Sequence, residues 1–223
     1  MKEHPSLFRN SGEAGEIKII NDPERIKIEQ KRIRKELRKN GQPESWIKIG
    51  LLSEDEWFWT VRDMVEFPGG KMGGYIRAIN RKSNEAGGFN VILMCVQNDQ
   101  VLLVRKYRHE ERRFSWEFPR GFGEPGLTAE ENARKELEEE IGVKALRLTL
   151  LTQVVEEKGG TAVFYAEMES GQKITIDAGE GLASYRWVSL AELDKLVAQG
   201  SLHDWFSLWA YALAKGKIVF RPS

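Results

Sequence analysis

The stretch from Gly121 to Val143, GFGEPGLTAEENARKELEEEIGV, constrains this chain more than any other. Thr128 is a good N-cap and Glu131 follows three residues later, the pair that makes a capping box. Gly142 stands past the last turn, where a glycine takes the left-handed conformation that ends a helix. Between these signals Ala129, Ala133, Leu137 and Ile141 recur every fourth residue and predict a helix buried along one stripe. Glu136, Glu139 and Glu140 fall on a different face, with Cβ atoms roughly 5–6 Å apart at such spacings. Like charges so placed repel and weaken a helix, and a hard divalent cation would offset that cost. Mg²⁺ takes carboxylate oxygens and waters and is commonly shared with substrate phosphates. The alternative is a solvated acidic face, the commoner outcome for a charge run taken alone.

The loop in front and the spacing of the whole segment favour the cation. The segment resembles the Nudix box: a glycine, five residues, Glu, seven residues, Arg-Glu, an aliphatic, any residue, Glu-Glu, any residue, glycine and an aliphatic. Gly121, Glu136, Leu137, Glu139, Glu140, Gly142 and Val143 match in register. Leu127 stands where the first Glu belongs, and Lys135 where the Arg belongs. The lead-in Trp116-Glu117-Phe118-Pro119-Arg120-Gly121 resembles the strand and turn ahead of the box in ADP-ribose pyrophosphatase-like members.

The resemblance implies an α/β fold: a Nudix α/β/α sandwich around a mixed sheet, with an N-terminal helix and a β extension. It implies hydrolysis of a nucleoside diphosphate linked to another group, with Mg²⁺ or Mn²⁺. Glu136, Glu139, Glu140 and the backbone carbonyl of Arg120 become the expected metal ligands. The general base is expected either among the box glutamates, Glu139 or Glu140, or on a loop after the box. Glu180, in Asp177-Ala178-Gly179-Glu180-Gly181, is the candidate for the second case, because its glycine neighbours suit a loop that closes on substrate. An ordinary surface glutamate is the competing reading.

Tyr107-Arg108 resembles a tyrosine–arginine element of the same subgroup and supplies the expected substrate-binding residues. The planar fork of Arg108 suits a diphosphate; a surface loop of mixed charge is the alternative. Lys135 keeps the positive charge of the box arginine but loses its bidentate fork. Arg134 points about 100° away on the helix and is an imperfect substitute. Leu127 removes a carboxylate, for which Glu124 or Glu130 are the candidate replacements.

Composition narrows the class. With 223 residues, 41% hydrophobic and 30% charged, the chain suits a soluble globular protein with a real core. A formal net charge of zero gives no global field toward nucleic acid or membrane. Cys95, the only cysteine, lies in the apolar run Val91–Val96 and reads as a small core residue, so no intrachain disulfide can form. His4, His109 and His203 show no zinc spacing. Without an apolar leader or a run near the ~20 residues of a span, a cytoplasmic location and no membrane partner are expected.

Three regions are expected: 1–43, a tail and a basic helix; 44–86, a β extension; and 87–223, the hydrolase domain. Asp22-Pro23 opens a helix to about Lys39 with a thin stripe of Ile26, Ile33 and Leu37. Its eight Lys/Arg against four acids suit either an anionic partner or a solvated helix docked by its stripe. Trp46–Ile49, Trp57–Arg62 and Tyr75–Ile79 read as strands. Trp57, Phe58 and Trp59 cannot all face one core, because strand side chains alternate. One face then meets a partner subunit, giving a homodimer, or the chain's own helices.

Phe89–Val96 and Val101–Tyr107 read as strands around a turn at Asn98-Asp99-Gln100. After the box come strands at Leu146–Val155, Thr161–Glu167 and Tyr185–Val188, and a β-like stretch at Ile174–Ile176. A capped helix follows from Ser189 to about Gln199, then a final helix, Leu202–Lys215.

The favoured function is a pyrophosphatase acting on ADP-ribose or a related nucleotide sugar, a small-molecule nucleoside diphosphate derivative. The aromatic-proline signature expected after the box for ADP-ribose is replaced by Glu156-Glu157-Lys158-Gly159-Gly160-Thr161, which leaves room for a different derivative. The alternatives are a catalytically weak nucleotide-binding sensor, motivated by Leu127 and Lys135, and an RNA 5′-end pyrophosphohydrolase using helix 22–39. Nucleic acid is the less favoured partner.

Overall fold

The computed structural model describes residues 5–81, 87–156, 159–177, 179 and 181–217. The chain divides into two compact units, Met1–Asn84 and Glu85–Ser223.

In the first unit a 3₁₀ turn, Pro5–Phe8, precedes β1 (Lys18–Ile19) and α1 (Pro23–Lys39). Asp22 caps α1 by accepting from the N–H groups of Glu24 at 3.1 Å and Arg25 at 3.3 Å. Then come β2 (Gly50–Glu54), β3 (Phe58–Glu66) and β4 (Met72–Asn80). All are paired antiparallel, with β4 along the full length of β3 and β1 and β2 sharing its other edge. The stripe of Ile26, Ile33 and Leu37 packs on a cluster of Ile20, Ile47, Met64 and Met72. The basic helix is therefore docked by its apolar side, and Arg32 bridges Glu29 and Glu36 on the outer side at 2.8 and 2.6 Å. Trp57 and Phe58 are exposed.

The strand expected at Trp46–Ile49 is not formed. Glu44–Ile47 is a 3₁₀ turn. Pro43 starts it, and local bonds run from the Trp46 N–H to the Pro43 carbonyl and from the Lys48 N–H to the Ser45 carbonyl. The side chain of Gln30 satisfies the Ile47 carbonyl at 2.9 Å, so no ladder is needed.

The second unit begins with β5 (Phe89–Gln97), β6 (Gln100–Arg108), β7 (Arg113–Glu117) and β8 (Arg120–Gly121). The box helix, α2 (Ala129–Ile141), follows, then β9 (Ala145–Glu156), β10 (Gly159–Met168) and β11 (Leu182–Ser189). Two helices close the unit, α3 (Leu190–Ala198) and α4 (Trp205–Lys217). The seven-stranded sheet runs β11-β6-β5-β10-β9, with β7 on β6 and β8 on β5. It is mixed, because β10 lies parallel to β5 while the other pairs are antiparallel.

Side chains alternate along β5. Val91, Leu93 and Cys95 join Ala133, Leu137 and Ile141 of α2 in one cluster. Ile92 and Met94 join Leu193 of α3 and Ala210 and Ala214 of α4 in another. Helices thus cover both faces of the sheet, the expected α/β/α sandwich. A strand buried on both faces reads as an unbroken apolar run, and burial pushes the Cys95 thiol well above its ordinary range.

Asn98 and Asp99, at φ 49° and 59°, make the two-residue β5–β6 turn. The β-like stretch Ile174–Ile176 forms no strand. Instead the Thr175 N–H donates to the Ile141 carbonyl at 2.9 Å and the Asp177 N–H to the Glu140 carbonyl at 3.1 Å, closing the end of α2. The last helix starts at Trp205 rather than Leu202, because Asp204 accepts from the Ser207 N–H at 2.9 Å. Among the described residues no helix is long and apolar enough to cross a membrane.

Candidate active site

The box helix is set by its ends. Thr128 Oγ1 accepts from the Glu131 N–H at 3.2 Å, and the Glu131 carboxylate accepts from the Thr128 N–H at 2.8 Å. Gly142 closes the helix at φ 68°. Leu137 and Ile141 are wholly buried, and each such side chain stabilises the packed state by about 1.5–3 kcal/mol. Buried Asn132 donates to the carbonyls of Phe89 at 3.0 Å and Phe122 at 2.9 Å, tying the entry loop to the helix.

Gly121 is the point of closest approach. A Cβ on it would lie 1.7 Å from Cδ of Glu136. The Glu136 carboxylate therefore rests against the β8 backbone, a position that any side chain at 121 would deny it.

Glu140 is buried and held at both oxygens. Lys106 Nζ stands 3.1 Å from Oε1, and the Arg120 N–H donates to Oε2 at 3.1 Å. Glu139 is exposed and pairs with Lys135 at 2.8 Å, and the same ammonium reaches Glu124 at 2.6 Å. Bonds to Glu124 and then Glu139 raise the Lys135 pKa above its ordinary value. Of the two candidate replacements for the carboxylate missing at Leu127, Glu124 is the one on Lys135. Glu130 pairs with Arg134 at 2.7 Å.

The lead-in strand carries a buried ionic knot. Glu117, only 1% exposed, takes Arg108 Nε at 2.8 Å and Nη2 at 2.5 Å on its two oxygens. Arg120 Nη2 lies 3.3 Å from Asp204 and 3.9 Å from Glu117, and its guanidinium stacks on Phe206 with 4.5 Å to the ring centroid. Burial pushes the Glu117 carboxyl above its usual range, with Arg108 pulling the other way. Ser207 ties this knot to the core, donating to Asp204 at 2.7 Å and accepting from the Phe118 N–H at 2.9 Å.

Glu136 and Glu140 are thus brought to the junction of β8 and α2, at Gly121 and Arg120, while Glu139 is turned to Lys135. Arg108 faces the same side of β6 as Lys106, but its fork is engaged by Glu117. Tyr107 projects to the opposite face by strand alternation and packs edge-on against Phe114, centroids 5.2 Å apart. Glu180 lies outside the described residues. Lys106 is a site residue that the sequence reading passed over. Its signal was the alternation of β6, which puts it on the face of the core residue Val104.

Three carboxylates and a peptide carbonyl are hard oxygen donors, the kind Mg²⁺ and Mn²⁺ take, so the donor chemistry fits such an ion. Among the described residues no three His, Cys, Asp or Glu side chains are gathered as a chelate in their present rotamers. Glu139 is turned toward Lys135 and Glu140 toward Lys106.

The family model of the NUDIX domain matches residues 86–208. An RNA pyrophosphohydrolase of Tolumonas auensis is 42% identical over 60 residues, 27% of this chain and 32% of that protein. An ADP-sugar pyrophosphatase of Mus musculus is 32% identical over 99 residues, 42% of this chain and 45% of that protein. The chain spans about a third to just under half the length of these relatives. The crystal structure of an ADP compounds hydrolase superposes with a TM-score of 0.57 at 21% identity, over 74% of this chain and 89% of that one. At that identity the likeness speaks for the fold.

Proposed function

The chain belongs to the NUDIX family, whose model covers more than half of it, and from this we propose that it hydrolyses the P–O–P bridge of a nucleoside diphosphate linked to another group. The substrate class is ADP-ribose or a related nucleotide sugar, in line with the ADP-sugar pyrophosphatase among its relatives. The observation that carries the reading is the pair of tight approaches at β8: Glu136 over Gly121 and Glu140 on the Arg120 N–H.

Glu136, Glu139, Glu140 and the Arg120 carbonyl would hold Mg²⁺ or Mn²⁺. When bound, such an ion neutralises phosphate charge and acidifies a water. The chain's own groups do the rest. Glu140 is locked in place by two donors and acts as the fixed point of the site. Glu139 is the exposed carboxylate, with access to the proton released when water forms a bond to one phosphorus. The bridging P–O bond breaks, and its electron pair leaves with the other phosphate. Glu180 remains the candidate base on the loop after the box.

A panel of nucleotide sugars, dinucleoside polyphosphates, NADH and capped RNA, with and without magnesium, tests this reading. Magnesium-dependent release of a nucleoside monophosphate from a nucleotide sugar is expected. Glu140→Gln is expected to lower turnover about a hundredfold or more. Unchanged turnover in that variant would rule out the proposed site.

The RNA pyrophosphohydrolase relative supports a second reading, action at an RNA 5′ end. In that case RNA affinity falls steeply with salt and depends on the basic outer face of α1. A homodimer built through the exposed Trp57 and Phe58 of the first unit is also proposed. Sedimentation of Trp57→Ser as a monomer beside a dimeric wild type would bear it out.

A further inference from the structure

We propose that Lys106 is a substrate-binding residue: it supplies the cation that meets the diphosphate oxygens, a role resting on the hydrolase reading above. The sequence pointed to Arg108 for this task, but both oxygens of buried Glu117 take that guanidinium, at 2.8 and 2.5 Å. Drawing Arg108 away would leave that buried carboxylate to the longer contact with Arg120, 3.9 Å off, a costly step. Lys106 lies two positions earlier on the same face of β6. Its ammonium stands 3.1 Å from Oε1 of Glu140.

A cation beside the carboxylates adds to the neutralisation that a bound metal ion would supply. A diphosphate approaching Glu136, Glu139 and Glu140 meets three like charges. The other lysine of the site, Lys135, bridges two glutamates at the exposed edge. Lys106 is the more enclosed cation, 15% exposed against 36% for Lys135, so its field is less screened by water. A lysine is a compact charge on a flexible stem with three donors. It can turn to an incoming phosphate oxygen while staying beside Glu140. Glu140 does not depend on it alone, since the Arg120 N–H holds the second oxygen.

The test measures binding of inorganic pyrophosphate by calorimetry in saturating Mn²⁺, and binding of Mn²⁺ alone by electron paramagnetic resonance. Lys106→Gln keeps a hydrogen-bond donor for Glu140 and removes the charge. Lys106→Met is a second neutral variant, and Lys106→Arg retains the charge. Both neutral variants are expected to bind pyrophosphate about ten- to a hundredfold more weakly, the effect of losing one hydrogen bond to a charged group. Their Mn²⁺ affinity should stay within about threefold of wild type, and Lys106→Arg should restore most of the pyrophosphate affinity.

Pyrophosphate affinity unchanged within about twofold in either neutral variant, beside a wild type that binds, overturns the assignment alone. A parallel loss of Mn²⁺ and pyrophosphate binding also overturns it, leaving Lys106 as a mere support of Glu140. A wild type that binds Mn²⁺ but no pyrophosphate overturns the hydrolase reading as well.

Discussion

Glu136 occupies the space that a side chain on residue 121 would need. The obstructing atoms are the far end of Glu136, so Gly121→Ala should cost little folding stability while pushing one carboxylate out of the site. Mn²⁺ affinity is expected to fall with the melting temperature nearly unchanged, and an unaltered affinity would show that Glu136 binds no metal. Arg108 makes the opposite case. Arg108→Met leaves Glu117 buried without its fork, at a cost of about 3–5 kcal/mol. Burial already raises the Glu117 carboxyl pKa, and loss of Arg108 raises it further. A carboxyl whose folded pKa lies above its unfolded value adds stability below the unfolded pKa, and that contribution is lost as pH rises through the folded pKa. Urea unfolding at about pH 5 should therefore show a smaller deficit for this variant than unfolding at about pH 7.5.

The box helix was readable because its determinants are local: a cap at Thr128, a stop at Gly142 and a four-residue stripe. Thr128→Ala should destabilise it by about 0.5–2 kcal/mol in urea unfolding. The Thr128 N–H and then the Thr128 hydroxyl, which donates to Glu131 at 2.7 Å, hold the Glu131 carboxyl below its usual range, and alanine removes the hydroxyl's share alone. That contribution is present above the unfolded pKa and is lost as pH falls through the folded one. The variant's deficit should accordingly shrink in acid. Two segments defeated the pattern. Trp46–Ile49 alternates like a strand, yet Pro43 and the side chain of Gln30 satisfy its backbone as a turn. Ile174–Ile176 is β-like in composition, yet its N–H groups close the box helix. In the first case local turn bonds and a side chain from α1 won over β preference, and in the second the end of a helix over thirty residues away did.

The two units differ in what they bury. The second contains both large apolar clusters, every pairing of the seven-stranded sheet and the whole carboxylate site. Among the described residues the first rests on one small cluster around Ile47 and Met64, and small cores are marginal. A fragment of residues 85–223 is expected to keep near-ultraviolet circular dichroism and a cooperative melt. A fragment of residues 1–84 is expected to lack both. A molten 85–223 fragment would mean that the second unit cannot hold its fold unaided.

Spacing along the chain was enough to reveal the box helix, its three carboxylates, the buried β5 strand and the family, because each is written in residues close in sequence. It could not reveal which cation answers which carboxylate. The pairing of Lys106 with Glu140 joins β6 to α2, that of Arg108 with Glu117 joins two strands, and that of Lys135 with Glu124 joins the helix to its entry loop. Charges choose partners by distance in space, and those distances exist only after the sheet has set the register of β6 against β7 and brought β8 under the box helix.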